Sequence, residues 1–167
     1  MGWFLVVTPL HQAAENGGLE WAASAESSFG LPEEPPPVRA LPTVRQVLTA
    51  FQEAGCHGTP WFQIAGHDLV ADLAGCPDPT TCASLGGLDL GEVRLGVDGA
   101  SGDEPVALHQ AVTDIGFRKP SGRAVLAASV ALAVQAGPLL LLDDSGSCAF
   151  VVSPGDDPTN LAMHWPW

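Results

Sequence analysis

Val112-Thr113-Asp114-Ile115-Gly116-Phe117 alternates apolar with small or polar residues, the two-residue period of a half-buried strand. Pro120-Ser121-Gly122 breaks that strand and offers Ser121 as a helix N-cap. From Ala124 to Ala136 only Ser129 and Gln135 are polar, so the helix predicted over 121–136 is apolar on nearly all sides. Such a helix needs a sheet against one face and further cover on the other. Gly137-Pro138 ends it, because Gly accepts the left-handed cap conformation and Pro cannot continue a helix. Leu139 to Leu142 is a wholly apolar strand, Asp143-Asp144-Ser145-Gly146 a turn, and Cys148 to Val152 the returning strand of a hairpin.

The same reading runs along the rest of the chain. Trp3 to Val7 is a first strand. Residues 8–37 form a long acidic loop, with short helical turns at Ala13–Glu15 and Leu19–Ala23 and an exposed connection marked by Pro32, Pro35, Pro36 and Pro37. A second helix is predicted over 43–54, where Val44, Val47, Leu48 and Phe51 fall at helical spacing. Trp61–Ala65 and His67–Leu73 read as paired strands, and Gly75–Gly91 as a loop with one helical turn near Thr80–Leu85. Glu92–Val97 alternates cleanly, with Val93, Leu95 and Val97 inward. Pro105–Gln110 is a short helix or a bent lead into the next strand, and Asn160–Trp167 is a tail. Strands and helices do not alternate regularly. The pattern therefore predicts a single α+β domain over 1–167, with a mainly antiparallel sheet, the 121–136 helix buried and the 43–54 helix packed on it.

Composition changes this picture in one respect. A chain of 167 residues with 46% hydrophobic content can bury a full core. Its net charge, however, is −13, from 19 acidic and 6 basic residues, and the basic ones all lie between Arg39 and Arg123. Such a surface repels nucleic acid and anionic membrane and favours a basic protein partner. The usage, rich in Ala, Gly, Pro, Leu, Val and Asp, is what GC-rich bacterial codons produce. The N-terminal segment lacks the positive region of a secretory leader. The uncharged run Ala124–Leu142 is broken at Gly137-Pro138, which suits a helix–strand boundary better than a membrane span. Four Cys in this setting read as reduced thiols of a cytoplasmic protein.

Candidate chemistry falls into four groups. Cys56, His57, His67, Cys76 and Cys82 are metal-ligand types, but Cys56 and His57 are adjacent, and the later gaps hold nine, eight and five residues. Structural zinc ligands pair two to four residues apart, so no metal or cofactor is implied. A thiol enzyme using Cys56 with His57 or His67 is the residual catalytic reading. Arg118, Lys119, Ser121 and Arg123 form the one basic island, at a helix N-terminus that suits an anion or small molecule. The pairs Glu33-Glu34, Asp103-Glu104, Asp143-Asp144 and Asp156-Asp157 are either turn residues or part of a partner surface. Trp165 and Trp167 are either binding anchors or a tail folded back over the sheet. No Gly-x-Ser-x-Gly elbow supports a hydrolase.

One acidic α+β domain, no export signal, no catalytic constellation, and the unit from Phe117-Arg118-Lys119-Pro120 to Asp143-Asp144-Ser145-Gly146 with an apolar-aromatic tail are traits in hand. In these the chain resembles, at class level, the small immunity proteins that protect bacteria from their own polymorphic toxins. The resemblance implies occlusion of a toxin by steric and electrostatic means, and supplies no site residues. The charge reading places the contact surface on Glu15, Glu20, Glu26, Glu33 and Glu34, with Asp143, Asp144, Trp165 and Trp167 beside them.

Overall fold

The computed structural model describes residues 3–66, 73, 82, 87–99 and 104–167. In chain order these form β1 (Phe4–Pro9), α1 (Leu10–Glu15), α2 (Gly18–Ala23), β2 (Ser27–Phe29), α3 (Val44–Glu53), β3 (His57–Pro60) and β4 (Asp89–Val97). Then come β5 (Val112–Arg118), α4 (Gly122–Ala136), β6 (Leu139–Asp143), β7 (Cys148–Val152) and α5 (Pro158–Ala162). The expected strand His67–Leu73 and helical turn Thr80–Leu85 lie, apart from Leu73 and Cys82, outside the described residues.

The strands make one sheet in the order β2-β7-β6-β1-β5-β4-β3. Its five central strands are antiparallel, and a parallel strand is added at each edge, β2 on β7 and β3 on β4. This is the α+β architecture with a mainly antiparallel sheet that the residue pattern predicts. The alternation along each strand decides what lies on each face. Leu5, Val7, Ile115, Phe117, Leu139, Leu141, Phe150 and Val152 join α3 and α4 in the main core. Leu140, Ala149 and Val151 face the other way and are covered by Leu10 and Ala13 of α1 and Ala22 of α2. The β6–β7 half of the sheet is therefore sandwiched between helical layers.

Both long helices form where expected. Thr43 caps α3 through a reciprocal box: Gln46 N–H donates to Thr43 Oγ1 (3.2 Å), and Thr43 N–H donates to Gln46 Oε1 (2.9 Å). The Ala-rich α4 packs on the sheet and against α3 and α5, and only its outermost stripe, with Val134 64% exposed, reaches solvent.

Four expectations need correction. The helical turns expected at Ala13–Glu15 and Leu19–Ala23 form within α1 and α2, but the 8–37 stretch also carries the strand β2, which its pattern does not predict. The strand expected at Trp61–Ala65 lies earlier, at His57–Pro60, where Gly58 lets the backbone approach Gly91 closely; beyond it Trp61 N–H still donates to Val93 C=O at 2.8 Å, and Ile64 keeps only an isolated parallel bridge with Val106. Ser121 occupies the N-cap position of α4, but its side chain accepts no capping bond, and its N–H is held by Asp89 C=O at 2.8 Å. The tail begins with a helix, α5, capped by Asp157, which accepts from Thr159 N–H at 2.8 Å.

Candidate functional site

The β6–β7 turn organises one end of the sheet. The Asp143 carboxylate accepts bonds from Ser145 Oγ, from Ser147 Oγ (3.0 Å) and from Cys148 N–H (3.2 Å). Partial desolvation is the largest single influence and acts to raise its pKa, but these bonds together outweigh it and hold the carboxyl below its ordinary value. Asp143 is thus committed to shaping the turn. Asp144, next in the chain, is exposed, while its N–H is tied to Phe4 C=O at 3.1 Å. Gly146 has φ +69°, and a Cβ there would run into the Trp21 ring, so this glycine serves both the turn and the seat of the indole.

Trp21 is the feature that sequence reasoning missed. It stands on α2, 46% exposed, with its ring over the turn. Leu19 and Ala22 of the same helix pack inward, so their spacing leaves Trp21 on the outer side, and that is the signal by which it could have been found. Three exposed carboxylates belong to the same end. Glu20 neighbours Trp21 on α2, Asp144 is in the turn, and Glu26 is delivered by β2, whose first residue Ser27 donates its N–H to Ser147 C=O at 3.1 Å. Glu15, also exposed, ends α1 just before the connection to α2. Glu33 and Glu34 are exposed too, but they follow β2 toward the far end of β7, beyond Gly30, which packs on Val151. Among the described residues the one ion pair is Arg118–Glu92 at 3.3 Å, so no described ion pair offsets the charges around Trp21.

No family model, curated protein or solved structure matches this chain. The geometry alone must therefore rank the candidate residues.

Trp165 and Trp167 are half-buried and packed against the main core. Trp165 meets Phe150 edge-on (centroids 5.3 Å, 75°) and Trp167 in the same way (5.0 Å, 77°). The tail is thus folded back over the helical side of the sheet, and its indoles present little area to a partner. Both indole N–H groups are buried without an acceptor among the described residues. The Trp165 Nε1 lies 2.6 Å from where a Cβ of Gly122 would stand, so this ring covers the first turn of α4.

The basic island is drawn in different directions. Arg118 is spent on Glu92 across the β4–β5 ladder, and Lys119 takes a left-handed backbone conformation (φ 53°) with its N–H on Trp3 C=O. Arg123 is exposed on α4. With Trp165 against the first turn and Ser121 not capping, the structure adds nothing in favour of an anion site.

The expected thiol chemistry is rearranged. Cys56 is buried, donates toward Ala124 C=O at 3.5 Å, and burial pushes its thiol up to about 11, which makes it a poor nucleophile. Its chain neighbour His57 instead places Nε2 3.0 Å from Cys82 Sγ. His67 and Cys76 lie outside the described residues. Among the described residues no group of three or more His, Cys, Asp or Glu is placed to hold a metal ion, and no helix is long and apolar enough to cross a membrane.

Proposed function

We propose that this chain is a protein-interaction module that binds a basic protein through the acidic end of the sheet around Trp21. In its finer form the reading is that of an immunity protein, which neutralises a cationic toxin by covering it. One observation carries it: an exposed indole seated on the β6–β7 turn, with Glu20, Glu26 and Asp144 exposed at the same end of the sheet and no described ion pair to offset them. A pre-positioned Trp supplies apolar contact area at small entropic cost, and the surrounding carboxylates steer and select a cationic partner. The charge of −13 extends that attraction over the whole molecule.

The test compares wild type with Trp21→Ala and with the triple change Glu20→Lys, Glu26→Lys, Asp144→Lys as bait in the source cell lysate. The expected result is one basic protein retained at low salt, lost at high salt and lost by both variants. Retention of the same partner by the triple variant would remove this face from the reading.

A further inference from the structure

We propose that His57 acts as the base for Cys82, and that Cys82 is a modification site for hydroperoxides and soft electrophiles. The partners stand 25 positions apart in sequence, yet Nε2 and Sγ are 3.0 Å apart, hydrogen-bond distance for a proton shared between sulfur and nitrogen. Both residues are half-buried, so solutes can reach them, whereas Cys56 is sealed in the core. His57 opens β3, an edge strand of the sheet, and its N–H is fixed by Leu88 C=O at 3.0 Å, which holds the imidazole's backbone in place. The Cys82 side is held by Gly87, whose N–H donates to Cys82 C=O at 2.7 Å. A Cβ at Gly87 would collide with Sγ, so glycine at this position leaves room for the sulfur.

The chemistry follows from the pair. His57 takes the thiol proton, leaving a thiolate, which is the nucleophilic form of cysteine. With a hydroperoxide, the sulfur attacks the distal oxygen. The S–O bond forms, the O–O bond breaks, and the departing hydroxide or alkoxide takes the proton from His57. Sulfur is oxidised by two electrons to the sulfenic acid, and the peroxide is reduced to water or alcohol. With an alkylating agent such as iodoacetamide, the same thiolate displaces iodide.

The experiment measures iodoacetamide labelling of each cysteine in the intact protein by peptide mass spectrometry between pH 6.5 and 8. Glutathione is the reference, and dimedone trapping after hydrogen peroxide is the second readout. The expected result is a Cys82 rate that changes less than about threefold over this range, while glutathione, an ordinary thiol titrating near 8.5, rises about tenfold per unit. The expected His57→Gln result is a Cys82 rate at least tenfold lower at pH 6.5, with Cys56 still protected as the internal sign that the chain is folded. A dimedone adduct on Cys82 in wild type and none in Cys82→Ser completes the case. A Cys82 rate that tracks glutathione overturns the proposal, and so does a rate unchanged by His57→Gln. Labelling that begins only after a chelator is added overturns it as well, since the sulfur is then a metal ligand.

Discussion

Cys56 and Asp143 are two acids that the fold treats in opposite ways, and each makes stability depend on pH in its own window. Burial raises the Cys56 thiol from 9.0 to about 11. Below pH 9 it is protonated whether the chain is folded or not. Between 9 and 11 only the unfolded chain loses the proton, so stability falls as pH rises, by about 2–3 kcal/mol once the window is crossed. Cys56→Ala removes this dependence, and its denaturant midpoint will fall less between pH 8 and pH 11 than that of wild type. Asp143 is shifted the other way, and its contribution is present at neutral pH and lost as pH falls through its depressed folded value. Asp143→Ala leaves Ser145, Ser147 and the Cys148 N–H without their acceptor and will cost about 1–3 kcal/mol at pH 7. The gap between variant and wild type will narrow in urea titrations carried down through the acid range. The same bonds show why Asp143 is a turn residue, leaving Asp144 as the member of the pair open to a partner.

At the level of elements, legibility followed periodicity. The α3 and α4 helices, the β4 and β5 strands and the β6–β7 hairpin each have several apolar positions at one fixed spacing, and each forms where that spacing places it. β3 is different: Gly58 and Pro60 give it no alternation, and it exists because Gly58 can lie against β4. β4 itself depends on a glycine. Gly91, with φ +68°, breaks the alternation between the buried Leu90 and Val93, and its N–H is held by Asp89 Oδ1 at 2.8 Å. A Cβ there would overlap Arg118 C=O and stand 2.9 Å from Lys119 C=O, both backbone atoms that cannot yield. Gly91→Ala will therefore destabilise by about 2–4 kcal/mol, backbone strain plus overpacking, as read from chemical denaturation. The acidic end was legible only residue by residue. Its carboxylates are visible as letters, but their sharing one end of the sheet with Trp21 depends on β2 joining β7 in parallel, a pairing between distant parts of the chain that no local spacing encodes. The His57–Cys82 pair was hidden for the same reason.

For the whole molecule the dominant quantity is charge. With 19 acidic and 6 basic residues, the folded chain holds like charges closer together than the unfolded chain does, so self-repulsion opposes folding. The described ion pair Arg118–Glu92 is partly exposed and offsets little of it. Salt screens this repulsion, with a Debye length of about 30 Å at 0.01 M against about 10 Å at 0.1 M. The denaturation midpoint of the isolated chain will therefore rise between 0.01 M and 0.15 M sodium chloride. The proposed complex responds with the opposite sign, because the same screening weakens attraction between the acidic face and a cationic partner. The triple lysine change at positions 20, 26 and 144 separates the two effects. It moves the net charge from −13 by six units to −7, so it will raise stability at low salt and flatten its salt dependence while abolishing the partner. A triple variant less stable than wild type at low salt would mean that these carboxylates are held by local contacts, and that the charge around Trp21 belongs to the fold and not to a partner surface.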